Sequence, residues 1–298
     1  MTVVDAPTPA TDQQNVREPR VRSRVLRRLL RNRGAMIALG FIVLLGLVAV
    51  FGPLLPLADP NAQVLATKNS GPSAANWLGT DSFGRDILSR LVAATRVTML
   101  ASLQGLTVAI VLGVPLGLLA GYLGRITDSV LSRIADGLLS LPPLILALAI
   151  LGVAGPGLTN AMIAIGIVFA PRFYRVARSA AQTVASETYI EAVRADGCPT
   201  SRILGRHVLP NASSPLLVQI SFTIGFIITA EASLSFLGLG VQLPTASWGS
   251  MLRDAFAHIH ESWFPIIPPA VLITVTVFAF SVLGDGLRDA FGRDSRVS

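Results

Sequence analysis

The chain of 298 residues has a single cysteine, Cys198, a single lysine, Lys68, three histidines, and only 14% charged residues. Each shortage excludes something. One thiol forbids an internal disulfide and any cysteine-based metal cluster, and nothing in the sequence around Cys198 points to a depressed thiol pKa, so it reads as inert. A phosphate-binding P-loop needs Gly-Lys followed by Ser or Thr. Lys68 is followed by Asn69, so this motif is missing and ATP hydrolysis by it is excluded. His258 and His260 stand two positions apart, without the i, i+4 spacing of a helical zinc pair and without a cysteine partner. No metal ligands and no catalytic residues are expected, and a Ser-His-Asp arrangement cannot be argued from so few histidines.

What the chain does contain is apolar length. Hydrophobic residues make up 52% of it and the mean hydropathy is +0.63, outside the range of soluble globular domains. Charges are absent from 34–58, 97–124, 137–171, 212–230 and 262–284, runs to be set against the ~20 residues of a membrane-crossing helix. They lack the ten-residue alternation of a membrane barrel. The remaining option in lipid is helices. The turn signal Gly-Val-Ala-Gly-Pro-Gly-Leu-Thr-Asn at 152–160 divides the longest run. The expected spans are therefore 35–56, 97–121, 130–153, 158–178, 212–238 and 264–286, six in all.

Charge orients them. On this count 19 of the 24 Lys and Arg residues fall on one side and five on the other, and the positive-inside rule places both termini in the cytoplasm. Leaving 137–171 undivided would put the arginine-rich stretch after it opposite the basic N-terminus. The organisation expected is a basic cytoplasmic and interfacial segment at 1–33, a six-helix domain at 34–286, and a cytoplasmic tail at 287–298. External loops occupy 57–96 and 239–263, and a cytoplasmic loop occupies 179–211. No short apolar segment with a cleavage site precedes the first span, so a removable signal peptide is not expected. The net charge of +7 belongs to this topology and not to nucleic-acid binding, because no basic face interleaved with aromatics is present. The stretch at 24–34, Arg-Val-Leu-Arg-Arg-Leu-Leu-Arg-Asn-Arg-Gly, suits anionic lipid headgroups.

The cytoplasmic loop carries the most specific pattern. Thr188 to Glu191 read as a T-x-x-E capping box that starts a helix. Gly197 is placed to end it in a left-handed conformation, and Pro199 blocks its continuation. Ile190, Val193 and Gly197 fall on one face. Two turns of helix are unstable alone, so this one needs a docking surface. A basic insert on the cytoplasmic face suggests that another protein supplies it. A second helical piece is expected from Ser201 to Leu209, ending at Pro210.

Glu191, Ala192, Val193, Gly197, His207, Leu209 and Pro210 resemble the EAA signature of permease subunits of ATP-binding-cassette importers. Val193 stands where alanine is usual and His207 where isoleucine is usual. The histidine followed by Val-Leu-Pro-Asn is similar to the peptide and nickel branch of that family. So are 77–91, 231–252 and 283–290, and the agreement is with the C-type permease of dipeptide and oligopeptide importers. The resemblance implies an all-α membrane protein with the type I importer permease fold in a bacterial plasma membrane. It also implies a coupling helix seated in a cytoplasmic ATPase, with contacts from Tyr189, Ile190, Glu191, Ala192, Val193, Arg194, Asp196, Gly197, His207, Leu209 and Pro210. Implied partners are a second permease of the B type, two ATPase subunits or domains that bind ATP and magnesium, and an extracytoplasmic solute-binding protein. This chain itself carries no cofactor. Dipeptides or oligopeptides are the implied cargo, with nickel or another small solute as the alternative.

Some residues stay open. Glu231, deep in span five, is by its position a candidate functional group. Either it lines the translocation path with Ser235, where it could meet a peptide's amino terminus, or Ser233, Ser235 or backbone amides hold it at a broken helix. The 78–90 segment reads as an interfacial outer helix with an Asp86–Arg90 pair at i, i+4, a scaffold or a receiver for the solute-binding protein. Gly113, Gly117 and Gly121 repeat every fourth position and predict a close helix contact.

Overall fold

The computed structural model describes residues 27–292. Residues 1–26 of the basic N-terminal segment and 293–298 of the C-terminal tail lie outside the described residues. Every regular element among those described is helical, and one isolated antiparallel bridge, Thr80 to Asp86, stands outside any strand.

A helical turn at 27–31 breaks at Asn32, whose side chain accepts from the Ala35 amide at 3.2 Å and caps α1, Arg33–Phe51. A side-chain acceptor at that position satisfies a donor that the first turn leaves unpaired. α1 is apolar on all sides. It turns Ala35, Ala38, Leu45 and Ala49 inward and leaves Ile37 and Val50 open to the surroundings, the pattern of a helix solvated by lipid. After a long connecting segment comes α2, Ile87–Leu123. Then follow α3, Arg125–Leu139, and α4, Pro143–Ala154. α5, Leu158–Ala185, leads to α6, Thr188–Ala195, and the short α7, Thr200–Ile203. α8, Leu209–Phe236, α9, Trp248–Ala257, and α10, Ile267–Gly292, complete the described residues.

Four helices are long and apolar enough to cross a bilayer, at Arg33–Leu54, Ile87–Leu123, Thr200–Phe236 and Phe264–Gly292. A fifth crossing exists if α3 and α4 count as one. The uninterrupted span expected at 130–153 does not form, because these two helices meet at 96°. Pro142 and Pro143 explain the bend: neither has an N–H, and a prolyl ring excludes the α conformation from the residue before it. α3 is also too polar for the core. Its Asp136 pairs with Arg175 at 2.7 Å, and Asp128 takes both the Nε and the Nη2 of Arg178 on α5. α5 has the length for a span at 28 residues, but Arg172, Arg175 and Arg178 make its second half polar.

α2 and α5 form the centre. A methyl group added to Gly113, Gly117 or Gly121 would overlap the carbonyl oxygens of Ala170, Tyr174 and Arg178 respectively. The fourfold spacing on one helix meets the fourfold spacing on the other, as the glycine repeat predicts, and the backbones touch where side chains would hold them apart. Overpacking a tight contact costs about 1–3 kcal/mol. Gly117→Val should therefore lower the thermal midpoint of the detergent-purified protein by several degrees. Gly46→Val, at a position with no atom within 4 Å, should leave it unchanged.

Candidate functional site

The insert at 188–197 is a helix hung from the bundle by two anchors. Ile190 is wholly buried, in one cluster with Ile203, Val208 and Ala212. Arg194 lies with its guanidinium carbon 4.3 Å from the Tyr122 ring centroid and donates from Nε to the Tyr122 hydroxyl at 2.8 Å. Tyr122 belongs to the last turn of α2, so the insert is tied to the end of the central helix. Around these anchors Tyr189, Glu191, Ala192, Asp196, Gly197, Leu209 and Pro210 are exposed, and Val193 and His207 are half-buried. The ring of Tyr189 stands 6.2 Å from that of His207, and the Asn211 amide donates to the His207 carbonyl at 2.8 Å. Ile190, expected among the docking residues, instead holds the helix to its own chain.

The stop signal forms as expected. Gly197 has φ +73°, its N–H donates to the Arg194 carbonyl at 3.0 Å, and the Cys198 N–H donates to Val193 at 3.3 Å. These are the paired bonds of a Schellman end, which a residue without Cβ makes at little cost. The capping box does not form. The helix begins at Thr188 itself, one residue before the box requires, and its cap position, Glu187, makes no side-chain bond. Nor does Pro210 end the second piece. A five-residue π turn, Leu204–Val208, carries α7 into α8, with the Leu209 N–H reaching back to Leu204. This wide turn accommodates a proline that a regular α-helix would reject.

At the opposite end 78–86 is not a helix but a loop folded around charge, and 87–90 is the first turn of α2. Arg85 and Arg90 are almost wholly buried. Arg85 contacts Asp81 at 2.6 Å and Asp254 of α9 at 3.4 Å. Arg90 lies 3.7 Å from Asp81 and donates to the Pro60 carbonyl at 3.1 Å. The expected Asp86–Arg90 pair is replaced. Asp86 caps α2 through the Ser89 amide at 2.8 Å and accepts from Asn76 at 2.9 Å. Each carboxylate serves a local orphan donor or a neighbouring guanidinium, and buried charges persist only when so satisfied. An exposed clasp adds to the knot, with Lys68 2.7 Å from Glu261, a contact that holds the Glu261 carboxyl below its ordinary range. His258 is engaged by the Asp254 carbonyl at 2.9 Å.

Glu231 and Ser235 have no exposed surface. The Ser235 hydroxyl donates to Glu231 Oε1 at 2.7 Å, while Oε2 has no hydrogen-bond partner. Gly240 and Gly249 press against Ser235 and the Ala232 backbone. The pair is thus enclosed under the turn that joins α8 to α9, with Ser235 holding the carboxylate. Sequence reading missed both the buried arginine knot and Trp248, which is wholly buried and bonded through Nε1 to Thr95 at 3.3 Å. The clue to the knot was the cluster of arginines and aspartates in a short external stretch.

Long apolar helices with polar assemblies confined to their two ends define an integral membrane protein of several crossings. The chain belongs to the family of binding-protein-dependent transport system inner membrane components, whose model matches residues 113–297. The N-terminal TM domain of oligopeptide transport permease C matches residues 22–72. It is a membrane permease and a transport subunit, not an enzyme. A dipeptide transport system permease protein of Alkalihalophilus pseudofirmus is 40% identical over 89% of this chain and 87% of its own length. A di/tripeptide permease of Pseudomonas aeruginosa is 40% identical over 87% and 88%. A glutathione permease of Pectobacterium atrosepticum is 41% identical over 89% and 88%. In fold the chain is similar to the inward-facing MetNI methionine ABC transporter, with a TM-score of 0.55 and 21% identity over 68% of this chain and 96% of that one.

The two anchors of α6 make a measurable claim. A cation–π contact on a partly exposed surface is worth about 1 kcal/mol, equivalent to about fivefold in a local opening equilibrium. Arg194→Ala should accelerate amide hydrogen exchange across 188–197 by about that factor and leave exchange in α5 unaltered, as read by mass spectrometry.

Proposed function

We infer that this chain is the permease subunit of an ATP-binding-cassette importer that carries dipeptides or oligopeptides into the cytoplasm. It lies in a bacterial plasma membrane with both termini cytoplasmic. Six crossings are assigned to α1, α2, the bent pair α3 and α4, α5, α8 and α10. A second permease of the B type closes the path, two ATPase subunits or domains hold ATP and magnesium, and an extracytoplasmic binding protein delivers the cargo.

The observation that carries this reading is α6. One residue of an eight-residue helix is wholly buried and most of its surface is open, in a chain whose family is transport permeases. A helix so short has no stability of its own, so its exposed face has value as a surface for a partner. Glu191, Ala192, Asp196 and Gly197 are assigned to an ATPase cleft, with Tyr189, His207, Leu209 and Pro210 beside them. Because Arg194 fastens the helix to Tyr122 of α2 and Ile190 is buried in the bundle's apolar core, movement of the ATPase would be passed to the bundle. Alternating access then follows from nucleotide-dependent preference for one of two bundle arrangements. The named relatives handle dipeptides, tripeptides or glutathione, which favours peptide cargo over nickel.

Two measurements test this. Cys198, the single thiol, is half-buried next to Gly197, so it reports on which side the insert lies. A membrane-impermeant maleimide should label it in inside-out vesicles and not in right-side-out ones; labelling from the outside would end the coupling role. In proteoliposomes holding the whole transporter, Gly197→Asp should leave insertion and ATP hydrolysis intact and lower peptide uptake at least about tenfold. The left-handed turn resists a Cβ at a cost of order 1 kcal/mol, and the new charge sits on the docking face.

A further inference from the structure

Between α4, α5 and α8 lies an open groove of about 340 Å³. Clefts that hold small ligands measure about 300–1,000 Å³. Most of its wall is apolar, and Arg172 is the one charged residue lining it. The guanidinium carbon of Arg172 stands 4.8 Å from the ring centroid of Phe169 and 4.7 Å from that of Phe226. The two ring centroids stand 6.4 Å from each other, and both rings flank the guanidinium. Farther along the same helix, Arg175 and Arg178 are paired with Asp136 and Asp128. Arg172 has no carboxylate partner among the described residues and is not fully enclosed.

At 1.5 Å per residue, Arg172 lies about 21 Å along α5 from Leu158, the first charged residue after the uncharged run 137–171. A cation at the edge of such a run without a carboxylate partner is a candidate functional group. Two further features point into the same space. The first turn of α4 lines the groove through Pro142, Pro143 and Leu144. Its earliest intrahelical bond runs from the Leu146 N–H to the Pro142 carbonyl at 3.1 Å, so the amides of Leu144 and Ile145 precede the ladder and the positive end of a half-helix faces the groove. Thr229 and Ser233 also line it. Their hydroxyls donate to the Gly225 and Thr229 carbonyls at 3.0 and 2.8 Å, which leaves the oxygens able to accept.

We propose that this groove binds the cargo in transit, with Arg172 taking the terminal carboxylate of a short peptide. The inference rests on the peptide-permease reading and names the chemistry of its path. Positive charge at one part of the groove, hydroxyl acceptors at another and apolar wall between complement a peptide's carboxylate, its N–H groups and its side chains. A guanidinium in contact with two phenyl rings has fewer positions open to it than a free side chain, so less freedom is lost when the carboxylate arrives. The bond formed is charge-assisted at both ends.

The test uses the complete permease pair with its ATPases in nanodiscs, without the binding protein, so that delivery imposes no selection. Radiolabelled alanyl-leucine and its C-terminal amide are the probes. The wild type should bind the acid at least about tenfold more tightly than the amide. Arg172→Gln should bind both as weakly as the amide, and Arg172→Lys should restore part of the difference. In proteoliposomes with the binding protein, Arg172→Gln should lower uptake of alanyl-leucine about tenfold and retain stimulated ATP hydrolysis. Equal binding of acid and amide by the wild type overturns the assignment, as does equal weakening of both by Arg172→Gln. Separation of the permease pair on gel filtration of Arg172→Gln, reversed in Arg172→Lys, would assign the guanidinium to a carboxylate of the partner permease and overturn it too. Absence of peptide uptake by the wild-type transporter with all its partners would instead refute the peptide reading itself.

Discussion

The contact between α2 and α5 is the constraint on which the remaining architecture depends. In lipid the hydrophobic effect does not draw helices together, since acyl chains are as apolar as leucine, and close packing has to supply the attraction. Gly113, Gly117 and Gly121 allow the backbones to meet at Ala170, Tyr174 and Arg178. The consequence reaches both membrane faces. At one end this contact sets the position of Tyr122, to which the insert is tied, and it brings Arg178 within reach of Asp128. Toward the other end Thr95 and Thr98 of α2 receive Trp248, which seats α9.

Charge is placed according to the solvent it meets. Arg85 and Arg90 are buried only because Asp81, Asp254 and the Pro60 carbonyl satisfy them, and Arg175 and Arg178 lie near the polar helix α3, which provides aspartates. The two ends of the bundle are therefore built differently. One end is closed by a knot of ion pairs and capping bonds around α9, whereas the other presents a short helix held by one aliphatic side chain and one arginine. The first arrangement suits a rigid lid. The second suits a surface that must be held in place and still be reached by another protein.

Much of this was legible in the residues themselves. Fourfold glycine spacing foretold the helix contact, and Gly197 with Pro199 foretold the end of the insert. The failures share a cause. Thr188 to Glu191 match a capping pattern, but tertiary anchors at Ile190 and Arg194 decided where the helix sits, and the box was not used. The segment 130–153 looked like one span because apolar content was averaged across Arg133, Asp136 and the Pro142–Pro143 pair. Asp86 and Arg90 had the right helical spacing, yet the helix starts only at Ile87, so that spacing did not apply.

The sequence alone determined that the chain is helical and lives in a membrane, because long uncharged runs have no other way to satisfy their backbone groups in lipid. It also determined the family, through motifs dispersed over most of its length. Only the tertiary structure decided which charges are paired. It enclosed Glu231 with Ser235, joined Arg85 to Asp254 of α9, and left Arg172 beside two rings on an open groove. Such pairings join residues far apart in the chain, and their energies depend on burial and distance, quantities that a linear pattern does not contain.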